Sequence, residues 1–131
     1  MKNIVFICVE NSNRSQMAQA FAIIHGKDIK AYSAGSKPSG IVNPKAIKAM
    51  KEKDYDLSQH KSTSTNELPQ VKFEYLVTMG CGDTCPYVPA KNRIDWNIPD
   101  PRNMNETEFR EVRDLIEKQV IELVEKINSE K

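Results

Sequence analysis

The chain has 131 residues, 39% hydrophobic and 28% charged, which fits one compact domain over 1–131. Nineteen basic against eighteen acidic side chains leave a formal net charge of +1, so there is no general field for nucleic acid or an anionic membrane, and any anion site must be local. No apolar run reaches the roughly 18–20 residues of a spanning helix, and the short run behind Met1 lacks the form of a signal peptide, so a cytoplasmic protein is expected.

Ile4–Ile7 is a continuous apolar run, the pattern of a strand buried on both faces. Met17, Ala20, Phe21 and Ile24 then recur at helical spacing, with Gly26 as a stop. Ile29–Ser33 reads as a second strand ending near Gly35. Asn43 and Pro44 read as N-cap and first residue of a helix with Ala46, Ile47, Ala49 and Met50 inward. Phe73–Met79 is a third strand. Residues 80–104 are mostly loop, with a short strand near Arg93–Asn97. Asn105 caps a long helix, with Glu108 in capping-box position and an apolar stripe of Phe109, Val112, Ile116, Val120, Leu123 and Ile127. The rest of that helix reads as a solvated face. Alternating strands and helices imply a parallel α/β sheet covered on both faces, with ligands beyond the carboxyl ends of its strands. Cys8 ends the first strand and Cys81 follows the third, so both belong at that rim.

The segment Cys8-Val9-Glu10-Asn11-Ser12-Asn13-Arg14-Ser15 lies between strand and helix. Such a loop can turn the backbone N–H groups of Val9 to Asn13 inward and add the positive end of the helix, making a nest for a tetrahedral oxyanion. Arg14 supplies planar bidentate hydrogen bonds. The same surroundings favour thiolate at Cys8, and Ser15 can donate its hydroxyl to that sulfur. Read plainly, the motif is also compatible with a buried structural Cys8 and a solvated Arg14.

Cys81 and Cys85 stand three residues apart. A zinc half-site lacks a second Cys or His pair, His25 and His60 being isolated, so no metal is expected. Two unrelated free thiols remain possible. A redox pair is preferred, because thiol exchange needs a resolving thiol within reach and a Cys-x-x-x-Cys turn with Gly82 allows it. Asp100, between Pro99 and Pro101, reads on its own as a turn residue. His60 reads as structural or surface, His25 as a last-turn cap, and Trp96 as packing beneath the Asp100 loop.

Val5–Phe21 resembles the P-loop and first helix of low-molecular-weight tyrosine phosphatases, and more closely the arsenate reductases built on the same fold. The likeness continues through Ser33-Ala34-Gly35, Asp56–Ser62, Val77–Asp83 and Asp95–Pro101, nearly the whole chain. It implies a three-layer sandwich: a four-stranded parallel sheet, helices on both faces and a P-loop after the first strand. By that resemblance Cys8 attacks arsenate, Cys81 attacks the Cys8 sulfur and releases arsenite, and Cys85 resolves the Cys8–Cys81 disulfide. A Cys81–Cys85 disulfide is then left for thioredoxin or another thiol reductant. Asp100 matches the general-acid position. No cofactor is implied.

Four positions depart from the family pattern. Asn13 stands where relatives commonly carry a further cysteine. Glu10 replaces a glycine, adds negative charge near an anion site and is expected to point outward. The spacing of Cys81 and Cys85 is shorter than in some thioredoxin-coupled members. Gln19 replaces a carboxylate that in some members binds a monovalent cation, so no cation is expected. Phosphate is expected to bind as an analogue of arsenate, and the alternatives to arsenate reduction are phosphomonoester or phosphotyrosine hydrolysis through a Cys8 phosphoenzyme and a non-enzymatic thiol redox sensor. A relay also implies that segment 81–92 moves between redox states, with Gly80 and Gly82 as hinges.

Overall fold

The computed structural model describes residues 1–80 and 88–130. Strands β1 (Lys2–Cys8), β2 (Ile29–Gly35), β3 (Phe73–Thr78) and β4 (Ala90–Asp95) form a parallel sheet in the order β2-β1-β3-β4. Helices α1 (Arg14–His25), α2 (Pro44–Lys51) and α3 (Glu106–Ser129) accompany it, with two 3-10 turns, Leu57–Gln59 and Thr65–Glu67. No helix among the described residues is long and apolar enough to cross a membrane.

The continuous apolar runs lie on the inner strands, where both faces are covered; Ile4 to Ile7 are fully buried. The edge strand β4 alternates half-buried and exposed residues. That weak pattern is why a strand expected near Arg93–Asn97 in fact starts at Ala90 and ends at Asp95. Ala90 and Asn92 pair with Phe73 and Tyr75 of β3. The segment 81–92, expected to move between redox states, therefore overlaps the start of a hydrogen-bonded strand.

One face of the sheet packs Ile4, Phe6, Tyr75 and Val77 against all three α-helices. The α3 stripe is buried as its spacing predicts. Its capping box is formed: Asn105 Oδ1 accepts from Glu108 N at 2.8 Å, and Glu108 Oε1 accepts from Asn105 N at 3.3 Å. Among the described residues the other face, Val5, Ile7, Phe73 and Leu76, is covered by Val9, Tyr32, Val88 and Leu68, which follows the second 3-10 turn.

Three side chains depart from the sequence reading. Ile24 is 41% exposed although in register with Phe21; Ile23 and His25 are exposed with it, so the last turn of α1 leaves the core whatever face it presents. Arg113 lies on the supposedly solvated side of α3 yet is buried. It donates to Ala49 O at 3.0 Å and to Glu52 at 2.6 Å, so its charge is paired where α2 ends. His25 stands in the last turn of α1 as expected, but its ring is turned to Glu117 of α3 at 2.8 Å.

β1 pairs with β2 on one side and β3 on the other, so the chain crosses over itself between them. The loops after β1 and β3 emerge side by side at the carboxyl edge, where open sheets of this kind bind ligands.

Candidate active site

The loop Val9–Asn13 links β1 to α1, and the carbonyls of Val9 to Ser12 are all engaged on the outside. Val9 O accepts from Lys37 N at 2.9 Å, Glu10 O from Ser39 N at 3.0 Å, and Ser12 O from Asn43 N at 3.1 Å. Asn11 O accepts from Gln16 Nε2 at 3.0 Å. In a planar trans peptide the N–H points opposite to the preceding C=O. The N–H groups of Glu10 to Asn13 therefore turn into the concavity and find no acceptor among the described residues. Asn11 makes the bend with φ 52°, a left-handed conformation that asparagine tolerates better than most residues. Gly35 lets β2 approach: a Cβ there would stand 2.5 Å from Val9 O.

Cys8 sits at the floor of this cup, 3% exposed, its Sγ 2.8 Å from Ser15 Oγ. Arg14, also buried, donates from Nη1 to Ile98 O at 3.0 Å. Gly80, φ 88°, packs against the same nitrogen, and a Cβ there would come within 2.2 Å of it. The guanidinium is thus wedged between the loop after β3 and the loop carrying Asp100. Asp100 Oδ2 lies 3.9 Å from Arg14 Nη2, and its Oδ1 accepts from Arg102 N at 3.1 Å. The resulting open cleft, about 550 Å³, is lined by Cys8, Val9, Glu10, Ser12, Asn13, Arg14, Lys37, Gly80, Asp100 and Arg102. Three cations there face two carboxylates, a small local excess of positive charge in a nearly neutral chain.

Behind the cup runs a hydrogen-bonded chain whose directions are fixed by its amides. Gln16 Nε2 donates to Asn11 O, Asn11 Oδ1 and Lys61 O, which leaves Gln16 Oε1 to accept from His60 Nδ1 at 2.9 Å. His60 is then the Nδ1–H tautomer, and Tyr55 OH donates to its Nε2 at 2.6 Å. Burial holds the His60 pKa below its usual value, only partly offset by the nearby Asp56 carboxylate. At the other end Asn11 Nδ2 donates to Ser15 Oγ at 2.8 Å.

The structure brings Cys8, Val9, Glu10, Ser12, Asn13, Arg14 and Asp100 to one cleft, while Asn11 and Ser15 are fully buried behind it, Ser15 against the Cys8 sulfur. Cys81 and Cys85 lie outside the described residues. Glu10 does not point outward: its carboxylate flanks the cleft because Arg102, across the mouth, captures it at 2.7 Å. Asn13 lines the cleft, and its Oδ1 is buried without a partner among the described residues. Gln19 spends its amide on Ala31 O and Ser33 Oγ. Trp96 packs its ring 6.0 Å from Phe6, just before the Asp100 loop. His60 takes a structural place, as expected; the sequence reading missed Gln16, Lys37, Arg102, Tyr55 and the packing of Gly80, read there as a hinge, against Arg14. Of these only Gln16, beside Ser15, carried any local signal.

The family model for low molecular weight phosphotyrosine protein phosphatase matches residues 3–131. An arsenate reductase of Staphylococcus haemolyticus (strain JCSC1435) is 41% identical over 128 residues, covering 95% of this chain and 96% of its own. A solved arsenate reductase in its oxidized state superposes with TM-score 0.86 at 33% identity, over 97% of this chain and 99% of that one. A thioredoxin-dependent arsenate reductase of Corynebacterium glutamicum superposes with TM-score 0.79 at 28% identity; 100% of this chain covers 63% of that one. With a nucleophile cup after β1 and relatives of this closeness over nearly its full length, the chain belongs to the low molecular weight phosphotyrosine protein phosphatase family, among its arsenate reductases.

Proposed function

We propose that this protein reduces arsenate to arsenite through Cys8, Cys81 and Cys85. The observation that carries the reading is the Cys8 sulfur at the floor of a cup of inward-turned N–H groups, with Arg14 and Asp100 at its rim, in a chain that holds two further cysteines. The thiolate of Cys8 attacks As(V), and one arsenate oxygen leaves as water, with its proton from Asp100. Inward N–H groups and Arg14 hold the remaining oxygens and the charge they carry. Ser15, whose oxygen already accepts from Asn11, turns its own hydrogen to the Cys8 sulfur.

The thiolate of Cys81 then attacks the Cys8 sulfur. The S–As bond breaks with its electron pair passing to arsenic, arsenite departs as As(III), and a Cys8–Cys81 disulfide remains. Attack by Cys85 on Cys81 returns Cys8 as thiolate and leaves a Cys81–Cys85 disulfide. Thioredoxin or another thiol reductant supplies the two electrons that reopen it, and the printed description of the C. glutamicum relative supports the first of these. Such a cycle suits the reducing cytoplasm.

NADPH oxidation with thioredoxin, thioredoxin reductase and arsenate tests the reading. Arsenate-dependent turnover is expected, with loss in each of Cys8→Ser, Cys81→Ser and Cys85→Ser, and a Cys8–Cys81 disulfide trapped in Cys85→Ser by mass spectrometry. No arsenate-dependent turnover with thioredoxin or small thiols overturns it. Phosphomonoester hydrolysis is a second reading, favoured by the fact that Cys8, Arg14 and Asp100 converge without help from another cysteine. Its signature is p-nitrophenyl phosphate cleavage that survives the Cys81→Ser, Cys85→Ser double variant.

A further inference from the structure

The nucleophile loop and the Asp100 loop are joined across the cleft mouth by one ion pair that the chemistry above does not use. Glu10 Oε2 lies 2.7 Å from Arg102 Nη1, and both residues line the cleft beside Cys8 and Asp100. We propose that this pair is a clasp: Arg102 is a positioning residue for Asp100, and Glu10 holds Arg102 in place while setting how tightly the cleft binds an oxyanion. The proposal rests on the oxyanion reading above and extends it to two residues of this chain.

Each end of the clasp is anchored in the machinery. The Glu10 carbonyl accepts from Ser39 N and from Ser62 Oγ, both at 3.0 Å, so its side chain departs from a fixed base. Arg102 stands two residues beyond Asp100, and its backbone N–H donates to Asp100 Oδ1 at 3.1 Å. Where Arg102 is held, the Asp100 carboxyl follows. Arg14 alone does not fix that carboxyl, since 3.9 Å to Oδ2 is beyond a normal hydrogen bond. The side chains of the pair are 36% and 57% exposed, so pairing adds little to global stability. Its effect falls on the geometry of the mouth and on its field.

The field carries the diagnostic. Glu10 and Arg102 cancel while paired. Without Arg102, Glu10 is a bare anion facing an incoming anion; without the Glu10 charge, Arg102, Lys37 and Arg14 face the single carboxylate of Asp100. One unit charge several ångströms from a bound oxyanion in a half-solvated cleft changes affinity by about three- to tenfold. The two single variants therefore move affinity in opposite directions, while both unfasten Asp100 and slow turnover.

The test uses the full chain as wild type, Glu10→Gln, Arg102→Ala and the exchange Glu10→Arg with Arg102→Glu. Inorganic phosphate binding is measured by calorimetry, arsenate kcat and KM with the reductant system. Phosphate is expected to bind about three- to tenfold more weakly to Arg102→Ala and more tightly to Glu10→Gln by a similar factor. KM for arsenate follows these signs, kcat falls in both, and the exchange recovers kcat. A merely structural role moves both singles the same way and is not rescued by exchange. Thermal unfolding checks that the variants fold.

Unaltered or same-sign phosphate affinities in the singles, or an exchange no better than either, overturn the clasp and leave arsenate reduction standing. The opposite-sign pattern in a wild type that turns over no arsenate does the reverse. A wild type that binds no phosphate overturns the clasp together with the oxyanion reading.

Discussion

At the sulfur of Cys8 the direction of one hydroxyl hydrogen follows from amides that are themselves oriented by distant partners. Asn11 Nδ2 donates to Ser15 Oγ because Asn11 Oδ1 already accepts from Thr63 N at 2.7 Å and from Gln16. The Ser15 hydrogen is then free to point at Cys8. Replacing Ser15 by Ala removes that donor and strands the Asn11 amide in a buried site. A hydrogen bond to a charged group contributes about 1.5–3 kcal/mol. Ser15→Ala should therefore lower kcat/KM for arsenate by about 10–100-fold, with circular dichroism unchanged; activity within twofold of wild type counts against the assignment. Ser15 was legible in the sequence because it stands only seven residues from Cys8, just past the loop that joins β1 to α1. Gln16 and His60 were not, since their hydrogen bond joins residues 44 apart in the chain, and no local pattern encodes a contact closed only by the fold.

Among the elements, local signals succeeded where one element satisfies itself and failed where a neighbour decides. The α3 capping box lies within four residues, and both halves form as the sequence predicts. By contrast β4 is a strand because β3 offers it an edge, so its half-polar sequence marked neither end well. The segment after the first 3-10 turn shows the same dependence on neighbours. His60 reads as a structural or surface histidine, and only the fold decides for the first: Tyr55 lies edge-on to it at 5.4 Å and Gln16 accepts from its Nδ1. Burial penalises its charged form and lowers its folded pKa, so the unfolded chain takes up the proton first. Stability is then fully present above the ordinary histidine pKa of about 6.5 and declines as pH falls from there toward the folded value. Urea midpoints measured between pH 8 and 5 should drop in the wild type over this range and be flatter in His60→Gln, whose amide cannot titrate. Equal slopes in the two proteins would place the acid sensitivity elsewhere.

For the whole molecule, the sheet order determines which parts can move while the chemistry proceeds. β1 and β3 are adjacent inner strands, and Cys8 is rooted in the first of them, so the nucleophile cannot travel. In the proposed relay it is Cys81 that must reach Cys8 in one step and Cys85 in the next. The chain bearing both is tethered at each end by β3–β4 pairing, through Thr78 with Asp95 and Ala90 with Phe73. Gly80, at φ 88°, is committed to its place against Arg14, so a hinge there would disturb the oxyanion site with every cycle. Rearrangement on oxidation should accordingly fall between Gly80 and Ala90 and spare the ladders on either side. Hydrogen exchange by mass spectrometry on the reduced protein and on its Cys81–Cys85 disulfide form reads this directly. Peptides within 81–89 should change protection by an order of magnitude or more, whereas β3, β4 and the Cys8 loop keep theirs. Exchange that is identical in the two forms would remove the conformational step from the relay, and exchange that spreads into β4 would mean that the edge strand detaches to let Cys81 travel.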